Sequence, residues 1–335
     1  MTRPRLGFIG LGWIGRLRLA AVASPDGPAE AAALCDPSTP SLEDAAQPFP
    51  GVPCFDDYEQ MLGRAGDLGL DGVVIATPNA LHTPQTLAAL DRGLAVFCQK
   101  PLALSAAEGR EMVEAARQAD RLLGVDYSYR YTEGAQTLRR MTGGSIDGGE
   151  LGRVYSLETV FHNAYGPDKP WCFDRSLSGG GALMDLGVHL VDLAFWLLGD
   201  PEVRAIHGGA TRAGAPLAGG DVDDFASARI DLEGGGVISM AVSWNAHAGR
   251  DCVIRAAALG TAGGAELRNV DGSFYDFELA RFSGRSTEVP VRESRDWLGK
   301  AIVDWARRLG ESRGYDPEIE RSIRVSEVID AIYAG

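Results

Sequence analysis

Residues 7–15 read Gly-Phe-Ile-Gly-Leu-Gly-Trp-Ile-Gly, with glycines at positions 10, 12 and 15. Leu6, Phe8 and Ile9 form a short apolar strand pattern, and a helical pattern starts at Trp13. A strand that turns through G-x-G-x-x-G into a helix gives each glycine a task. Gly10 permits the tight turn, Gly12 leaves bare backbone for the approach of a pyrophosphate, and Gly15 lets the helix pack closely on the sheet. Free N–H groups at the positive end of the helix, around Trp13 and Ile14, then suit the phosphates. With 43 glycines in 335 residues, the spacing alone is also what a ligand-free turn produces by chance. Its position after an apolar strand makes it a candidate dinucleotide site.

The next strand pattern, 30–34, leads to Asp36, 21 residues after Gly15. A carboxylate there accepts hydrogen bonds from the adenosine ribose and repels a 2′-phosphate, which favours NAD over NADP. The competing reading has Asp36 merely opening the turn Asp-Pro-Ser. Another buried strand, 71–77, ends in Thr77, Pro78 and Asn79, which the strand order would place on the nicotinamide side of a cofactor. His82 either joins that site or bonds backbone at a helix start. Strand 94–98 delivers Gln99, Lys100 and Pro101 to the same edge, and Ser105 with Glu108 forms a capping box for helix 106–119. Residues 1–127 therefore predict a doubly wound parallel sheet of the Rossmann type.

The pattern changes beyond residue 128. Strand candidates at 153–162, 202–211, 224–232, 236–244, 251–259, 264–269 and 273–280 mostly alternate apolar and polar residues. That predicts an α+β domain over 128–335, with a large open, mainly antiparallel sheet. A long helix at 182–198, closed by Gly199 and Pro201, interrupts the strands, and helices at 296–309 and 317–334 end the chain.

That long helix carries Asp185, His189 and Asp192, whose spacing puts all three on one helix face. A polar stripe on so apolar a helix needs partners or a cavity. Oxidising an alcohol removes a hydride and a proton. A histidine oriented by a carboxylate can take the proton, and a lysine ammonium can stabilise the developing alkoxide. A purely structural helix, its Asp and His bonded to backbone, explains the same residues. Zinc at the Asp-x-x-x-His pair would need a third ligand of recognisable spacing, and none follows, so no metal is expected.

The formal net charge is −14, and no basic cluster of the kind nucleic-acid binding needs is present. Five scattered cysteines, without C-x-x-C, predict neither a disulfide framework nor a zinc site. No apolar run is expected to span a membrane and no leader precedes the first strand, so the expected place is the cytoplasm.

Taken in order, Gly10-x-Gly12-x-x-Gly15, Asp36, Ala76-Thr77-Pro78-Asn79-x-x-His82, Lys100-Pro101 and Gly179-Gly-Gly-x-x-x-Asp185-x-Gly187-x-His189-x-x-Asp192 resemble the Gfo/Idh/MocA family (glucose–fructose oxidoreductase, inositol dehydrogenase and relatives). The resemblance implies NAD(P)-dependent oxidation of a ring hydroxyl in a sugar, cyclitol or related polyol, or reduction of the ketone. It also implies a homodimer or homotetramer built through the second sheet. By analogy His189 is the proton acceptor, Asp185 its partner, and Lys100 steadies the reacting oxygen. A cis Lys100–Pro101 bond occurs in some relatives. Gln99 departs from the family's usual Glu-Lys-Pro. Glutamine keeps the shape and drops the charge, which bears on substrate preference and pH optimum more than on hydride chemistry. Arg130, His162, Asn163 and Trp171 are further candidate substrate contacts, while Trp244 and Asn245 end another strand near them. Two alternatives share these motifs: a glycosidase or epimerase that recycles NAD through a keto-sugar, and a non-catalytic dinucleotide-dependent regulator.

Overall fold

The computed structural model describes residues 3–293 and 297–335. The chain divides into two compact units, residues 1–126 with 299–324 and residues 127–298 with 325–335. The second unit is thus not the uninterrupted stretch 128–335. Residues 299–324 join the first unit, and the physical reason is Trp305. It lies on the helix Lys300–Glu311, and its ring packs 5.5 Å from that of Phe97. Gly72 and Gly124 leave the slot for it: a Cβ on Gly124 would lie 2.7 Å from the indole Cδ1. The helix expected from residue 296 begins at Lys300, and its expected first residue, Asp296, lies outside the described residues.

In the first unit β1 (Arg5–Ile9), β2 (Glu30–Cys35), β3 (Cys54–Phe55), β4 (Gly72–Ile75), β5 (Ala95–Cys98) and β6 (Leu123–Val125) form one parallel sheet. Its order, β3-β2-β1-β4-β5-β6, is the doubly wound one. The central strands β4 and β5 are buried at every residue, as a sheet covered on both faces requires.

The second unit holds a nine-stranded sheet ordered β15-β14-β13-β12-β7-β11-β10-β8-β9. Its strands are β7 (Val154–Asn163), β8 (Val203–Arg212), β9 (Ala215–Pro216), β10 (Phe225–Leu232), β11 (Val237–Ser243), β12 (Cys252–Gly260), β13 (Gly264–Asn269), β14 (Phe277–Ser283) and β15 (Ser286–Glu293). All neighbours are antiparallel except β7 and β11. Both edge strands were missed from sequence, and each contains a proline, Pro216 or Pro290, which only an edge tolerates. The helix Val188–Leu198 shares its core with β7, β10, β11 and β12.

The expected helix 182–198 is not one continuous α-helix. Residues Leu183–Gly187 form a wider π-helical turn, and regular α-helix starts at Val188. Nor do apolar runs stay below membrane length. The stretch Arg175–Leu198 reaches it by composition, but 89% of its most apolar window is buried inside the protein. It is a core element of the second unit.

Candidate active site

The glycine turn has the shape that its sequence requires. Gly10 adopts φ +87°, and a Cβ there would meet the Ala76 carbonyl oxygen at 2.5 Å. A Cβ on Gly12 would meet nothing within 4 Å, so open space lies over its backbone. The helix Trp13–Val22 starts with no side-chain cap and no acidic residue in its first turn. Its first N–H groups are therefore offered to an anion. These features fit a dinucleotide pyrophosphate. Gly15 sits buried against the Gly10 carbonyl, Ile14 is half-buried, and the Trp13 indole is 58% exposed. The Asp36 carboxylate accepts from Leu11 N at 2.6 Å and from Ser38 N at 2.8 Å. It opens its own turn, as the competing reading had it, and also ties β2 to the glycine loop.

Thr77 and Pro78 are half-buried at the end of β4, and the Thr77 hydroxyl donates to Gln85 Oε1 at 2.7 Å. Asn79 is buried and starts a short turn. Of the two readings of His82 the contacts match the backbone one: its side chain is fully buried. Its Nδ1 lies 2.8 Å from the Pro101 carbonyl and its Nε2 3.0 Å from that of Thr77. Burial pushes its pKa down, and the Lys100 charge adds to this against the pull of the two carbonyls. His82 braces two strand-end loops against each other. The peptide bond between Lys100 and Pro101 is cis.

Gln99 also turns inward. Its Nε2 donates to Asp126 Oδ2 at 2.5 Å, and the same oxygen accepts from Arg18 Nε. All three side chains are buried. The amide thus completes a balanced group of one carboxylate and one guanidinium just before Lys100, which is itself half-buried.

In the second unit the stripe on the long helix splits into three environments. Asp185 sits in the π-helical turn, half-exposed, and accepts from Trp244 Nε1 at 3.2 Å. His189 is half-exposed, its ring edge-on to Tyr129 at 5.0 Å. Asp192 is 2% exposed and pairs with Arg130. A π turn offsets Asp185 from the regular helical register, and such turns concentrate at functional sites. His162 Nδ1 lies 2.7 Å from Ser243 Oγ, its in-register neighbour on β11, and burial lowers its pKa. The Asn163 Oδ1 is buried and makes no hydrogen bond among the described residues. Trp171 is half-buried on the short turn Pro170–Phe173.

Two supporting residues were not found from sequence. The buried Asp223 carboxylate accepts from Gly181 N at 2.7 Å, Leu183 N at 2.8 Å and the Tyr333 hydroxyl at 2.6 Å. It caps the turn bearing Asp185. It also accounts for the glycine run, since a Cβ on Gly181 would strike the Asp223 backbone. The acidic run 221–224 was the only local signal. Tyr129 was passed over beside Arg130, yet its ring touches His189, Phe161, Phe277 and Trp297.

Comparisons with known proteins identify the family of both units. Residues 4–127 match the NAD-binding Rossmann fold of the Gfo/Idh/MocA oxidoreductase family, and residues 139–266 match the family's C-terminal domain. A putative UDP-kanosamine synthase oxidoreductase subunit of Amycolatopsis mediterranei is 31% identical over 99% of this chain and 95% of its own length. The D-glucoside 3-dehydrogenase of Escherichia coli is 26% identical over 78% of this chain and 76% of its own. A levoglucosan dehydrogenase solved with NADH and levoglucosan is 25% identical, covers 99% of this chain and 96% of its own, and superposes with a TM-score of 0.79. An NAD-binding Rossmann unit joined to the family's second domain makes this chain a sugar-type oxidoreductase, and it belongs to the Gfo/Idh/MocA family.

Proposed function

We propose that the protein oxidises a ring hydroxyl of an unphosphorylated sugar, cyclitol or related polyol with NAD, or reduces the corresponding ketone. The observation that carries this is the pair Asp185 and His189. They are the half-exposed polar groups of a helical stretch whose other side chains are buried. Bound NAD accepts the hydride. The glycine turn and the first N–H groups after Gly12 hold its pyrophosphate, and Asp36 its adenosine ribose. His189 takes the hydroxyl proton as the carbon–hydrogen bond breaks. Asp185 stabilises the protonated ring, and Trp244 fixes one oxygen of Asp185. Lys100 steadies the reacting oxygen, by resemblance to the family. His162 and Asn163 are proposed substrate contacts, and the unbonded Asn163 Oδ1 is suited to accept from a sugar hydroxyl.

The five free cysteines suit a reducing cytoplasm. The open face of the large sheet, with Tyr155 and Leu259 exposed on neighbouring strands, is the proposed surface for a homodimer or homotetramer. The test is Lys100→Met and His189→Ala. Both should bind NADH normally, as read by nicotinamide fluorescence, and lose turnover by about 100-fold or more across a polyol panel. Normal turnover in both variants would overturn the assignment.

A further inference from the structure

Phe173, Gly166 and Tyr165 lead away from the Trp244 indole that bonds Asp185, and these three take no part in the chemistry proposed above. The Trp244 indole, bonded to Asp185, is 4% exposed, and its ring packs at 62° and 5.7 Å against that of Phe173. Phe173 is 53% exposed. Its ring lies over Gly166: a Cβ there would be 3.3 Å from Phe173 Cζ and 4.0 Å from Trp244 Cε3. Gly166 is held in place by its N–H, which donates to the Asn245 side chain at 3.2 Å. Tyr165, the next residue, is also 53% exposed. Large aromatic rings ordinarily bury themselves, and Phe173 instead forms an open shelf whose inner edge, Trp244, bonds the proposed partner of the proton acceptor, Asp185.

From this continuity we infer that the substrate is a glycoside and not a free monosaccharide, with its aglycone ring seated on the Phe173–Gly166 shelf. The inference rests on the dehydrogenase reading above. A pyranose that reacts at a ring carbon distant from C1 projects its anomeric substituent away from the chemistry. An apolar or C–H-rich ring there gains contact with an aromatic face that is already ordered, so little side-chain entropy is lost on binding. A cyclitol or free sugar has no group to reach the shelf.

The test uses the full chain with NAD and matched sets of free sugar, methyl glycoside and phenyl glycoside for several pyranoses. For the sugar that is turned over, the phenyl glycoside should have a KM about five- to tenfold below that of the methyl glycoside, at similar kcat. Phe173→Ala should remove most of that advantage and leave the methyl glycoside and free sugar unchanged, while Phe173→Tyr restores it. Equal KM values for phenyl and methyl glycosides in the native protein would overturn the inference. So would an advantage that survives Phe173→Ala. If no member of the panel reduces NAD, the dehydrogenase reading fails separately. The shelf is then decided by calorimetric titration of phenyl glycosides, where equal affinity in the native protein and Phe173→Ala overturns it and a loss of about fivefold or more supports it. A shelf covered instead by a second copy would show as a dimer that Phe173→Ala dissociates, and that result also overturns the inference.

Discussion

Arg130 grips both oxygens of Asp192: its Nε donates to Oδ2 at 2.8 Å and its Nη2 to Oδ1. The side chains are 14% and 2% exposed, and the guanidinium also lies 5.4 Å from the Tyr127 ring centre. The pair pins the helix bearing His189 to the turn Ser128–Tyr131, one helical turn beyond the histidine. An arginine engaged in this way is first a structural partner. Asp192→Ala should therefore lower unfolding stability by about 3–5 kcal/mol, because it removes the two-point carboxylate partner of a largely buried cation. Arg130→Lys, which keeps the charge and loses the planar fork, should cost less. Denaturant titration measures both. A raised KM with unchanged stability in Asp192→Ala would return Arg130 to the role of a substrate contact.

Gln99 and Asp126 yield a second prediction, with a sign. Gln99→Glu would place a second buried carboxylate against that of Asp126, which already pairs with Arg18. Like charge and burial would both raise the introduced acid's pKa in the folded state. The folded chain would then hold a proton that the unfolded chain releases, so stability relative to the parent is retained at low pH and lost as pH rises past about 4.3. The thermal midpoint of Gln99→Glu should match that of the parent near pH 4.5 and fall clearly below it at pH 8. A deficit that does not change with pH would show that the glutamate finds another partner.

His82 carries the opposite sign. Burial lowers its pKa below the ordinary 6.5. The unfolded chain thus takes up a proton that the folded one refuses. The contribution is complete above that ordinary value and is lost as pH falls, at a limit of about 1.4 kcal/mol per pH unit for one proton. His82→Gln should be less stable than the parent at pH 7.5, because the amide does not fill the buried space between the two carbonyls as the ring does. The gap should narrow by pH 5.5, because only the parent suffers the protonation. Parallel stability curves would refute this account of His82.

These cases show what the chain made legible. Gly10, Gly12 and Gly15 act through backbone geometry within one short strand–turn–helix unit, so their spacing together with the apolar strand before them places them. The capping box at Ser105 and Glu108 is equally local, with Glu108 N bonded to Ser105 Oγ. The direction of a side chain at a strand end is not local. Gln99 and His82 occupy positions where a cofactor contact and a buried brace have the same sequence appearance, and only Asp126 and the Pro101 carbonyl, distant or folded back in the chain, decide between them. The break of the long helix into a π turn was hidden for a related reason. Its start is held by Asp223, some forty residues away, which accepts from Leu183 N and from Gly181 N just before it. Prolines in β9 and β15 disguised both edges of the large sheet because strand propensity carries no information about edge position.

Tyr129 and His189 give the last prediction. The two rings meet edge to face at 5.0 Å, and Tyr129 is itself held by Trp297 at 5.2 Å and Phe161 at 5.9 Å. The imidazole therefore leans on a rigid aromatic wall, while burial raises the phenol's pKa and keeps it neutral. A proton acceptor works only if its nitrogen is held within reach of the hydroxyl, and misplacement by about 1 Å can cost around 100-fold. Tyr129→Leu should lower kcat by about ten- to a hundredfold with a smaller change in KM and intact NADH binding. Tyr129→Phe preserves the wall and should remain within about threefold of the parent. If Tyr129→Phe instead loses as much as Tyr129→Leu, the hydroxyl and not the ring is the working part, and Tyr129 joins His189 among the groups that touch the substrate.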